Sequence, residues 1–210
     1  MALSLAPRLT WAQFDFEPDS ADASTLELTP PNYDSIKFEM RLWCFGWVFS
    51  SVTQLSLDHN GRWDFHRSFL IDSLIDIPKL SPKPNIRQLW SKLDSIGILT
   101  LKSQKEVTAK FIKNGKTYQL TEDQLEKMIG TEASVYVVEL LSSNGFRTYS
   151  YIEPAKLAEI RFFDTEEHTW VWPEHYRMTQ IIETIEEAFQ NDGLSKYAIE
   201  HWRKTKDIGN

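Results

Sequence analysis

The chain carries a single cysteine, Cys44, in 210 residues. One thiol cannot close an internal bridge, so no disulfide framework holds this fold. Cys44 lies in a strongly apolar run. A reactive thiolate needs an electropositive, partly exposed setting, so a buried, inert thiol is expected. Long apolar runs are lacking as well, and no uncharged stretch approaches the roughly 18 residues of a membrane span. The apolar stretch from Ala2 to Ala6 is shorter than a signal-peptide h-region, and no basic side chain precedes it. No Asn-x-Ser/Thr sequon occurs. These absences point to a cytoplasmic protein that does not meet a membrane.

Signatures of chemistry are missing too. There is no phosphate loop, no Gly-x-Gly-x-x-Gly, no Gly-x-Ser-x-Gly elbow and no His-Glu-x-x-His. No cofactor is therefore expected. The formal net charge is −7. His201, Arg203, Lys204 and Lys206 are a local cationic group, read as a solvated helix end. Phosphate binding needs clustered Lys and Arg, so direct nucleic-acid binding is not expected. An acidic surface fits a basic protein partner, and it also keeps a protein soluble.

What the chain does contain is an ordinary globular composition, 41% hydrophobic and 25% charged. At this length one domain is the expectation, burying about 70% of the unfolded chain's surface. Residues 15–34 form an acidic, loop-rich lead-in with Pro18, Pro30 and Pro31. Residues 72–85, with Pro78, Pro82 and Pro84, are the candidate subdomain boundary.

Asn-Gly pairs give the clearest structural signals. Asn114-Gly115 and Asn144-Gly145 suit two-residue type I′ hairpin turns, whose central positions both need positive φ. The first predicts Phe111 opposite Tyr118, Ala109 opposite Leu120 and Lys110 opposite Gln119. The second predicts Leu140 opposite Tyr149, Val138 opposite Tyr151 and Glu139 opposite Ser150. Asp58-His59-Asn60-Gly61 behaves differently. A three-residue loop with Gly61 as a bulge pairs Leu57 with Trp63, Leu55 with Phe65 and Asp58 with Arg62. That register keeps the apolar side chains on one face and turns Asp64 and His66 to the other. The run from Ile36 to Trp47 also reads as a strand, with Lys37, Glu39 and Arg41 alternating with Ile36, Phe38, Met40 and Leu42.

Helix signals are of the capping kind. Asn85 precedes a stripe of Ile86, Leu89, Trp90, Leu93 and Ile96, and Gly97 closes it. Thr121 to Gln124 is a capping box, and Gly130 stops that helix. Pro173 opens a long helix bearing Met178, Ile181, Ile182, Ile185 and Ala188, ended by Asn191-Asp192-Gly193. A further helix is placed over 195–204. Hairpins next to one another, rather than strands alternating with helices, predict an α+β fold. It would be a mostly antiparallel sheet with three to four amphipathic helices packed on it.

Aromatic content is the unusual feature, with eight tryptophans. Trp90 falls on the apolar stripe of its helix, and Trp63 is also read as core. Trp170 and Trp172 project to the same side of their segment. Three roles fit them: stapling the long helix to the sheet, anchoring a protein partner, or stacking on a sugar ring. Glu183, Glu186 and Glu187 form an acidic strip on the polar face of the long helix, either merely solvated or meeting a basic partner. Two Asp/Glu/His groups supply a rival reading. Asp64 and His66 share a strand face, and His168, Glu174 and His175 follow in a second stretch. If the two converged, they could hold the mixed N/O ligand set of a metal-dependent hydrolase. The leading expectation is a non-enzymatic, intracellular protein-binding protein of the inhibitor, immunity or accessory type, using Trp170, Trp172, Glu183, Glu186 and Glu187.

Overall fold

The computed structural model describes residues 32–46, 50–71, 73–76, 85–107, 110–120, 133–159, 168–170 and 173–189. Along the chain these form β1 (Ile36–Phe45), β2 (Ser50–Asp58), β3 (Trp63–Ile71), β4 (Ser73–Asp76) and α1 (Ile86–Ile96). Then come β5 (Lys110–Lys113), β6 (Lys116–Gln119), β7 (Val135–Ser142), β8 (Gly145–Ile152), α2 (Pro154–Glu159), β9 (His168–Trp170) and α3 (Pro173–Ala188). The fold is α+β with antiparallel sheets. A six-stranded sheet runs β4-β3-β2-β1-β7-β8, and a separate three-stranded sheet runs β6-β5-β9.

The turns follow their chemistry. Gly61 takes φ +77° as the bulge, and the expected pairs Leu57↔Trp63 and Leu55↔Phe65 form. Asp58 closes the loop, its carboxylate accepting from Arg62 N and Arg62 Nε, both at 2.8 Å. Asn114 and Gly115 take φ +51° and +71°, and Phe111 pairs with Tyr118 as read. Ala109, the other half of one predicted pair, lies outside the described residues.

The β7–β8 hairpin departs from its predicted register. Its turn residues are Ser143 and Asn144, so Leu140 faces Arg147, Val138 faces Tyr149 and Glu139 faces Thr148. Two facts account for the slip. Asn144 N donates to the Ser142 hydroxyl at 3.3 Å, which closes the turn without a left-handed residue. The shifted register also pairs all 8 residues of each strand, from Val135↔Ile152 to Ser142↔Gly145. A slip of two leaves every side chain on its predicted face, because strand side chains alternate with period two.

The expected three to four helices are not borne out: two helices of more than two turns pack on the large sheet, α1 and α3. The predicted helices at 121–130 and 195–204 lie outside the described residues, as do the prolines at 78, 82 and 84 and nearly all of 15–34. The short α2 was not expected. Helix α1 is built as read: Asn85 Oδ1 accepts from Gln88 N at 3.1 Å, and Gly97 ends it at φ +96°. Arg177 of α3 then donates to the carbonyls of Ile96 (2.8 Å) and Gly97 (3.1 Å), setting a cation on the negative end of α1. Segment 98–102 is held from β8. Tyr149 Oη donates to Ile98 O at 2.9 Å, Tyr151 Oη donates to Lys102 O, and Arg147 donates to the Leu99 and Leu101 carbonyls.

The main core lies between one face of the large sheet and α1 with α3. Met40, Leu55, Phe69, Val138 and Tyr151 meet Leu89, Leu93, Met178, Ile181 and Ile185 there. Trp63 and Trp90 are half-buried at its margin, where Phe38 packs 4.7 Å from Trp90 and Trp63 packs 5.6 Å from it. A smaller cluster of Trp43, Val52, Val135 and Val137 lies on the sheet's other face.

Candidate functional site

Helix α3 sets the geometry of the acidic strip. Its core side is His175, Met178, Ile181, Thr184 and Ile185, all buried. The remaining arc carries Tyr176, which is 60% exposed, and the exposed Glu183 and Glu187. Tyr176 and Glu183 are seven residues apart, two helical turns, so they project in nearly the same direction. Glu187 lies one further turn along. The three predicted glutamates are not equivalent. Glu186 faces inward and accepts from Arg67 Nη2 at 2.8 Å, bracing α3 against β3. Glu187 has a loose partner in Lys92 at 3.3 Å, with both side chains solvated, and such a pair contributes little.

Trp170 is the last residue of β9, backbone-paired with Phe111. Its side chain, and all of Trp172, lie outside the described residues. Tyr176 escaped the sequence reading because it breaks no pattern. Its signal was present in its spacing from the glutamates, off the stripe of isoleucines.

The described side chains of the metal reading, Asp64, His66, Glu174 and His175, are not brought together. Asp64 and His66 are exposed on the face of β3 opposite Phe65 and Phe69, and His66 Nε2 lies 2.6 Å from Ser68 Oγ. His175 is fully buried on α3, its ring edge-on to Tyr151 at 5.1 Å, with Glu174 beside it on the same helix. Tyr151 belongs to the core on the helix-covered face, so the six-stranded sheet stands between His66 and His175. Of His168, only the backbone position in β9 is described. Among the described residues, no three His, Cys, Asp or Glu side chains are grouped to hold a metal. Burial holds the His175 pKa down to about 4, so its imidazole is neutral near pH 7.

Two further sites went unread. Glu39 and Arg41, taken as the polar face of β1, are fully buried beside Trp43 on the sheet face away from α1 and α3. Arg41 Nε donates to Glu39 Oε1 at 2.5 Å and its Nη1 lies 4.0 Å from Glu139 Oε2, which also accepts from Trp43 Nε1 at 2.7 Å. Glu39 Oε2 is buried and accepts no hydrogen bond among the described residues. Burial pushes the Glu139 carboxyl up, against the lowering from the Trp43 hydrogen bond and from Arg41. The alternation Lys37, Glu39, Arg41 could not reveal this, because it looks the same whether the polar face meets water or charges of opposite sign. The second site is an open cleft of about 630 Å³ between the turn at 32–35 and the β2–β3 hairpin. It is lined by Asp34, Asp58, Arg62, Trp63 and Asp64, and by His59, whose Nε2 lies 3.0 Å from Tyr33 O.

Cys44 is half-buried rather than buried as expected, and burial pushes its thiol up to about 11, away from the reactive thiolate. Among the described residues, no helix is long and apolar enough to cross a membrane. Comparison with family models, curated proteins and solved structures gives no match.

Proposed function

We propose that this chain is a non-enzymatic binding protein that presents the solvent face of α3 to a basic protein partner. The observation that carries the reading is Tyr176, 60% exposed on the same side of the helix as the exposed Glu183 and Glu187. An exposed aromatic ring in a rim of like charges has the make-up of an interface anchor. Tyrosine gives a large, rigid, amphipathic contact, and the carboxylates steer a cationic partner to it. The inward residues of α3 are committed to the core and to Arg67, so the helix is a fixed platform.

The test is affinity capture from native lysate with immobilised wild-type chain, a Tyr176→Ala variant and a Glu183→Lys/Glu187→Lys variant. A basic partner should be held near stoichiometrically by the wild type. Truncating an anchor should weaken it by about 2 kcal/mol or more. The charge reversal should slow association, an effect that fades as salt screens beyond about 8 Å. Thermal melting of both variants should stay close to wild type. Equal retention by all three chains would remove α3 from the interface.

A further inference from the structure

The open cleft at the end of the large sheet, about 630 Å³, has the size of a small-molecule site. It spans the ends of three neighbouring strands. β2 runs between β1 and β3, with Ile36 paired to Asp58 on one side and Asp64 paired to Ser56 on the other. Both walls are fixed in place. On the β1 side, Ser35 N and Ile36 N donate to the Asn32 carbonyl at 3.0 and 2.9 Å. On the β3 side, Asp58 holds Arg62 through two bonds of 2.8 Å. His59 Nε2 lies 3.0 Å from Tyr33 O, tying one wall to the other. A cleft held in this way needs little reorganisation to take a ligand.

Charge and lining say what kind of ligand fits. Three carboxylates, Asp34, Asp58 and Asp64, line the cleft with one guanidinium, Arg62. Arg62 is committed to Asp58. Asp34 and Asp64 are exposed, and no cation among the described residues pairs with either. Each wall therefore carries one carboxylate in excess. The two are spread around the cleft rather than focused on a point: among the described residues, no three His, Cys, Asp or Glu side chains are grouped to hold a metal. Half-buried Ile36 and Trp63 add apolar lining. Separated carboxylates with apolar lining suit a run of methylenes that carries an ammonium group at each end.

We propose that this cleft binds an aliphatic diamine or polyamine, with one ammonium group at Asp34, another at Asp64 and the methylenes against Ile36 and Trp63. The inference does not depend on the α3 surface.

The test is amide NMR of the full chain titrated at low salt with 1,4-diaminobutane and with spermidine. 1-Aminobutane, 1,4-butanediol and magnesium chloride at matched ionic strength serve as parallel probes. Both polyamines should shift amides within 32–36 and 56–64 in a saturable way. The monoamine should bind about fivefold more weakly or worse, because it meets only one carboxylate. The diol and Mg²⁺ should not saturate those shifts. Asp34→Asn and Asp64→Asn should each weaken diamine binding by about fivefold or more. Arg62→Gln removes a like charge while Arg62 N still closes the loop, so it should tighten binding about two- to fivefold. Asp94→Asn removes one carboxylate from the exposed side of α1 and should leave binding unchanged. No saturable shift at these amides, equal binding of the monoamine, the diol or Mg²⁺, or an equal effect of Asp94→Asn would each overturn the inference. Comparing diamine with monoamine tests the paired carboxylates even if a variant fails to fold.

Discussion

His175 makes the stability of this protein depend on pH in a way that can be worked out beforehand. Its ring is fully buried against Tyr151, and burial holds its pKa near 4, against 6.5 for the free side chain. The folded state therefore holds the neutral imidazole. Above pH 6.5 both states are neutral and nothing is lost. Between pH 6.5 and 4 the unfolded chain takes up a proton that the folded chain refuses, so stability falls with pH. From pH 7 to pH 5 the loss comes to about 2 kcal/mol. In a protein of this size that is roughly 4–8 °C in melting temperature. The comparison that isolates it is wild type against His175→Phe, unfolded in urea across pH 5 to 7.5. The variant keeps an aromatic ring but has nothing to protonate, so the gap between the two curves should change by that amount. Glu139 titrates in the opposite sense. Its raised pKa gives stability that is present at low pH and lost as pH rises through it, but both proteins share it and it cancels. Parallel curves would mean that the imidazole titrates near its ordinary value, and would refute the burial argument.

The buried charges offer a second check: Arg41→Met alone should cost about 3–5 kcal/mol in urea unfolding, because it strands Glu39 and Glu139 without their cation. The triple replacement Glu39→Leu, Arg41→Met and Glu139→Leu should recover most of that loss. At the start of α1, Asn85→Ala should cost about 1 kcal/mol and Asn85→Ser almost nothing, read as shifts in the urea midpoint.

What the sequence made legible is what depends on near neighbours. The Asn85 cap, the Gly97 stop, the Gly61 bulge and the Asn114-Gly115 turn each rest on a backbone requirement that a few residue types satisfy, and each formed as read. The β7–β8 register failed because a local turn preference competed with the number of strand pairs, which only the whole hairpin decides. Long-range facts were hidden for the same reason. Nothing within β1 says that Glu139, 98 residues beyond Arg41, will lie opposite it across the strand pair. The exposure of Tyr176 was hidden similarly. A surface is a property of what remains uncovered once everything else has packed.

Strand order has a consequence for synthesis. The centre of the large sheet is β1, and its partner on one side, β2, follows at once, while its partner on the other, β7, begins only at Val135. About ninety residues separate Phe45 from Val135. At about 5–20 residues per second the ribosome needs several seconds to make them. During that interval β1 to β4 can form a meander in which β1, later the most enclosed strand, is an open edge, the kind of template on which chains join wrongly. Glu39 and Arg41 sit on that edge. Inward-pointing charges are a known guard against edge-to-edge pairing. On this argument Glu39 and Arg41 guard the nascent edge, and replacing them together with Glu139 by apolar side chains should leave the native protein stable but make the intermediate stickier.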